Sequence, residues 1–247
     1  GLNGNIVLVA TLGDITLNDG DALVDQTGGD GRSTNGTAVD ANGTGSILIT
    51  AVAGTVTGNA DIYSGTGHIT VKAHVNVALT EDVDVKTTTG GTVSIDAATG
   101  TLTMHGSATV EATSSTARLW AERDVTVGNL TATNVSIGST SGAIINAAGS
   151  SKNVTAANLR LEAQGSIGVA DRHLTTDIDT VSAHAATGSV YITEDDGAIV
   201  TSVRTSVTDF NSDATTSGVT DTAQSDLTTG LNGNIVLVAT LGDITLN

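Results

Sequence analysis

The sequence predicts an all-β protein, a right-handed, single-stranded parallel β-helix (β-solenoid) of about ten coils per 229-residue repeat. Three observations carry that expectation. Proline is absent from all 247 residues, and proline is excluded from strands that are hydrogen-bonded on both sides. Thr and Val are abundant while the helix-favouring Lys, Glu and Gln are scarce, and β-branched side chains suit a pleated surface. An alternating apolar pattern closed by a glycine returns about every 23 residues. That spacing is too short for a domain and marks a stacked repeat.

The first phrase, GLNGNIVLVATLGDITLN, spans Gly1–Asn18 and reads as two alternating strands joined through Gly13. The same eighteen letters return at Gly230–Asn247, 229 residues further on. Between them lie near-copies: GSILITAVAGTVT from Gly45, GHITVKAHVNVAL from Gly67, GTVSIDAATGTLTM from Gly91, ARLWAERDVTV from Ala117, NVSIGSTSGAII from Asn134, NLRLEAQGSIGV from Asn158 and GSVYITEDDGAIV from Gly188. Most steps between copies are 18–24 residues, with longer ones of 31, 41 and 45. Residues 18–43 and 205–229 break the pattern and read as loop-rich or degenerate coils. The expected organisation is one repeat unit over 1–229 and the first coil of a following unit over 230–247.

Stacking gives the alternation its meaning. If each copy makes one turn, its strands pair with their equivalents about 4.8 Å above and below, and alternate side chains point into a narrow lumen. One inward column is expected to run Ile6, Ile47, Ile69, Val93, Val135, Leu159, Val190. A second runs Leu8, Ile49, Val71, Ile95, Leu119, Ile137, Leu161, Ile192. A third, of small residues, runs Ala10, Ala51, Ala73, Ala97, Ala121, Ser139, Ala163, with Glu194 as its odd member, just before glycine corners such as Gly13, Gly54, Gly100, Gly142 and Gly197. The polar letters between them, Trp120 included, are expected to face outward. Ten coils imply an axial period of roughly 45–50 Å.

Nine basic residues against twenty-six acidic ones leave a net charge of −17. That sign disfavours nucleic acid, whose phosphates need a basic surface, and anionic membranes. No apolar run approaches the length of a membrane span and no secretory leader is visible, so no membrane insertion is expected. Cysteine is absent, which removes disulfides and thiolate metal sites.

The phrases NLRLEAQGSIG and LTTDIDTVSAHAATGSVYITEDDGAI resemble the recurring motifs of giant bacterial surface adhesins of the filamentous-haemagglutinin type. The resemblance covers most of the chain as a pattern of low-information letters. It implies a right-handed parallel β-helix, an extracellular, cell-surface location and a part in adhesion or as a surface fibre. The 229-residue period departs from the family and points to near-identical tandem units.

Two acidic groups are candidate calcium sites, calcium being an optional cofactor and none being required. One is Glu194, Asp195 and Asp196, where a carboxylate falls in an inward column and needs a partner. The other is Asp19, Asp21 and Asp25, with Asp30 and Asp40 beyond them, an oxygen-rich stretch without the order of an EF-hand. A local outward corner explains the first group equally well, and the second is set against a solvated loop. Asp82 and Asp84, two residues apart, are the pair a polysaccharide-active enzyme would use, though few aromatic residues are present to stack on sugar. The histidines show no ligand spacing and read as surface residues. The expected function is therefore a structural, non-enzymatic extracellular filament supporting cell attachment. Its partners are other copies of itself, head to tail or bundled, and cell-surface glycans. The alternatives are an adhesin stalk whose binding tip lies elsewhere, a polysaccharide-active enzyme, and tandem immunoglobulin-like domains with antiparallel strands.

Overall fold

The computed structural model describes residues 4–19 and 36–247. Among the described residues there is no helix, and apart from one antiparallel hairpin the strands pair in parallel ladders running along one axis. The chain is a parallel β-solenoid. Its parallel pairing removes the immunoglobulin-like alternative.

Three ladders make three faces. The first stacks Ile6–Ala10, Ile47–Ala51, Ile69–Ala73 and Val93–Ala97 in register, then continues through the second halves of Thr109–Ala121, Asn129–Ser139, Val154–Ala163 and Leu174–Ala185. The second stacks the short strands Ile15–Leu17, Val56–Gly58, Val77–Leu79, Leu102–Met104, Val125–Val127 and Ile144–Asn146, and Ile167 and Val190 extend it as single bridges. The third begins with Thr37–Asp40, Asp61–Ser64 and Asp84–Thr87 and runs into the first halves of the long strands. A register shift between Ala112 and Thr116 marks the bend where one long strand passes from the third face to the first.

The lumen is filled as the alternation dictates. Ile47, Ile69, Val93, Val135 and Leu159 are fully buried, as are Ile49, Val71, Ile95, Leu119, Ile137 and Leu161 beside them. Corners are tied by Asx side chains: Asp14, Asn76 and Asp124 accept the backbone N–H of Thr55, Thr101 and Ala143 one rung on. At Gly54 the backbones of successive corners touch, and an added methyl would collide with the Gly13 carbonyl. That contact explains why glycine recurs at this corner.

The structure corrects the coil count: Ile6–Ala10 pairs directly with Ile47–Ala51, and Val190–Glu194 directly with Ile235–Ala239, so the 41- and 45-residue steps are each a single turn and the period holds between eight and nine turns rather than ten. The columns also change at their far end. Leu159 stacks on Val181, Leu161 on Ala183 and Ala163 on Ala185. Val190 stacks instead on Ile167 of the second face, and Ile192 and Glu194 stack on Leu174 and Thr176 of the third. The rung VSAHA has only one large apolar letter, so its neighbour GSVYI imitates the motif better than the true rung does.

The segment 205–229 is also more ordered than a degenerate coil. The next first-face rung is split: Ile199 and Val200 pair with Thr180 and Val181, whereas Leu227–Thr229 pair with Ala183–Ala185. Between them the chain leaves the solenoid and forms an antiparallel hairpin, Ser206–Phe210 with Thr216–Thr220. This excursion lies against the outer side of the first face. The Phe210 N–H donates to Thr70 Oγ1 at 2.8 Å, Thr92 Oγ1 donates to the Thr208 carbonyl at 2.7 Å, and Lys72 pairs with Asp209 at 2.7 Å. Further along, Arg118 Nε donates to Asp221, Arg160 Nε to the Thr222 carbonyl and Gln224 Nε2 to the Leu161 carbonyl. Several polar side chains expected to face water are consequently buried: Thr70, Ser94, Arg118, Ser136, Arg160 and Ser182.

Trp120 points outward but is half-buried. Its indole lies across Gly138 of the next rung, where a Cβ would strike the ring, and the Arg118 guanidinium sits 4.3 Å from the ring centroid. Gly138→Val is expected to lift the indole off the surface. Because the chain has a single tryptophan, a red shift of its emission reads this directly; an unmoved spectrum would contradict the packing.

Candidate functional site

The acidic groups fall out differently from their order in the sequence. Alternation along Val190–Glu194 turns Glu194 inward at the end of the strand, and its side chain is fully buried. It is not isolated: the Thr176 hydroxyl donates to one carboxylate oxygen and the Ile178 N–H to the other, at 3.0 Å for the latter. Burial raises its pKa above the ordinary glutamate value, against the lowering effect of these hydrogen bonds. Glu194 and Asp196 meet Asp177 of the neighbouring rung, with carboxylate oxygens within 4.8 Å of one another. Asp177 escaped the sequence reading because it is adjacent only through the ladder. Asp195 turns away and pairs with Lys152. In the other group, Asp19 lies against Gly36, where its carboxylate fills the place of a Cβ. Asp21, Asp25 and Asp30 lie outside the described residues. Asp40 accepts the Asn42 N–H at 2.9 Å in a tight turn.

Asp177 also lines a surface groove of about 370 Å³ where the long strands bend between the third and first faces. Glu111, Thr131, Thr155 and Asp179 are among the polar residues of its wall. Carboxylates and hydroxyls in this arrangement offer oxygen ligands to a hard cation and hydrogen-bond partners to a polyhydroxyl ligand. A second cleft, of about 320 Å³, opens beside Trp120 and is lined by Glu162, Gln164 and His184.

Asp82 and Asp84 do not form a facing pair. Asp82 sits in the preceding turn with φ of 56°, whereas Asp84 begins its strand and donates its N–H to Asp61 Oδ1 at 2.8 Å. Burial and the Asp61 carboxylate raise the Asp84 pKa to about 6. Burial likewise raises Asp96, although Arg118 and Lys72 oppose the shift. Of the histidines, His68 is half-buried and bonded to Thr92, and burial lowers its pKa.

These raised carboxyls predict a stability profile. A group whose folded pKa lies above its unfolded one binds its proton more tightly in the folded state. Its contribution is complete below the unfolded value of about 3.9 for Asp and is lost as pH rises through the folded value. These raised carboxyls should therefore pull the melting temperature down between about pH 4 and 6, with Asp84→Asn flattening that slope, while the lowered pKa of His68 works in the opposite sense. An unchanged slope in that variant would contradict the burial of Asp84.

The fold and these groups define a β-solenoid protein with acidic surface clefts. Compared with known protein families, curated proteins and solved structures, the chain matches none of them. No helix among the described residues is long and apolar enough to cross a membrane.

Proposed function

We propose that the chain is a repeat of a structural, non-enzymatic extracellular filament that supports attachment at the cell surface. One observation carries this reading: the eighteen-residue phrase recurs letter for letter after 229 residues, and both copies build solenoid strands, Ile6–Ala10 with Ile15–Leu17 and Ile235–Ala239 with Ile244–Leu246. A rung that reappears in sequence and conformation is what a tandem array needs at each junction. The resemblance to surface adhesins supplies the extracellular setting and the attachment role. Mass under denaturing conditions tests the reading. A very long chain or a ladder of many units supports it, whereas a chain with few units and a distinct terminal domain favours the adhesin stalk.

Calcium is a proposal only, and the Asp177, Glu194 and Asp196 trio is where it can be tested. A melting temperature raised by calcium in the parent and not in Asp177→Asn would give the ion a stabilising part in the filament. The enzymatic alternative predicts polysaccharide cleavage that Asp84→Asn abolishes.

A further inference from the structure

The two copies of the phrase occupy different faces of the solenoid. In the first, Ile6–Ala10 lies on the first face and Ile15–Leu17 on the second. In the second, Ile235 enters on Val190, and Leu237 and Ala239 stack on Ile192 and Glu194 at the third face. Its closing strand, Ile244–Leu246, stacks on Ala198–Val200, which itself begins a first-face rung. The same letters have moved back by one face of three.

The copies also use opposite edges of the same strands. In the first copy the Ile6 N–H donates to the Ser46 carbonyl and the Ala10 carbonyl accepts the Val52 N–H, both toward the following rung. In the second copy the preceding rung is bound instead, through the Asn234 carbonyl, which accepts the Val190 N–H, and the Thr240 N–H, which donates to the Glu194 carbonyl. The second strand behaves alike. Ile15 N–H and Leu17 C=O serve the following rung, whereas Asp243 C=O and Asn247 N–H serve the preceding one. Neighbouring residues of a β-strand send their backbone groups to opposite sides, so one copy of the phrase can satisfy both rungs at once.

We infer that the edge formed by Val190–Glu194 and Ala198–Val200 is the docking surface for the first coil of a following copy of this repeat, and that it receives that coil turned by one face. Resting on the filament reading, this gives the array a screw. Each repeat is rotated by roughly a third of a turn on its predecessor and rises by between eight and nine turns of chain, roughly 42 Å. The hairpin at 206–220, fixed to the first face of every unit, then appears on three sides of the filament in succession. Any partner that binds the hairpin side can be engaged from every direction around the fibre.

Cysteine pairs in the 247-residue chain, which has no cysteine of its own, test the setting without requiring a filament. Val238 is the counterpart of Val9 and stands beside Thr193 in the turned setting. Thr228 ends the outward column that begins at Val9 and Thr50 and runs through His184, and the ten residues from Thr228 to Val238 are too few for the full turn that would stack one on the other. T193C with V238C should cross-link to near completion, seen as a mobility shift, while T228C with V238C stays at background and sets the baseline. A 193 pair that does not cross-link above that baseline overturns the turned setting. In images of assembled fibres, hairpins on successive sides support the screw and hairpins in one straight row overturn it. A chain without consecutive repeats, shown by denatured mass, removes the filament reading and leaves the cysteine result to decide the setting of the second phrase.

Discussion

Arg118→Ala should loosen the 201–226 excursion from the first face and lower stability by about 3–5 kcal/mol, the usual consequence of leaving one member of a buried ion pair behind. Arg118 Nε approaches both oxygens of Asp221, at 3.1 and 3.2 Å. The two side chains are only 11% and 7% exposed, so solvent screens the pair little. The same guanidinium stacks on Trp120 and lies 3.8 Å from Asp96. Its removal therefore leaves the buried Asp221 carboxylate without its cation and uncovers an indole. Limited proteolysis should cut first between 201 and 226, while amides of the lumen strands keep their exchange protection. Arg118→Lys keeps the charge but loses the planar fork and should recover only part of the loss. Equal protection of the excursion in the parent and Arg118→Ala would show that the hairpin is held by its other contacts.

A second large effect is expected at the centre of the lumen. Ile137 is fully buried, with Leu119 on the rung before it and Leu161 on the rung after. Ile137→Ala removes three carbons from a column that cannot collapse sideways, because each rung is held at the backbone spacing of its ladder. The expected cost is about 2–5 kcal/mol, read from chemical denaturation. Ile6→Ala, on a rung with one described neighbour, should cost markedly less, since Ile6 is only partly buried. Equal costs at the two positions would argue against a continuous lumen.

Much of this architecture was legible because a solenoid turns sequence period directly into spatial stacking. The register of Ile6 on Ile47, Ile69 and Val93 follows from the spacing of like letters. Where the pattern weakened, reading by likeness failed. GSVYI resembles the first-face motif more closely than VSAHA does, yet Val181 continues the column and Val190 does not. The hairpin was hidden for another reason. Its residues are polar and low in information, and its anchors on Thr70 and Thr92 lie 140 and 116 residues away.

The acidic site shows the same limit. The inward turn of Glu194 could be read from strand alternation, which is local. Its meeting with Asp177 could not, since it depends on which rung lies beside which. Taken alone, the sequence determined the all-β class, the lumen-facing letters and the 229-residue recurrence, because period-two alternation and side-chain shape act within a single strand. The tertiary structure decided which face each late rung occupies, how the excursion folds back over the first face, and where the second phrase settles. Those outcomes rest on competition among neighbouring edges for the same backbone hydrogen bonds, and that competition is resolved only when all the rungs are stacked.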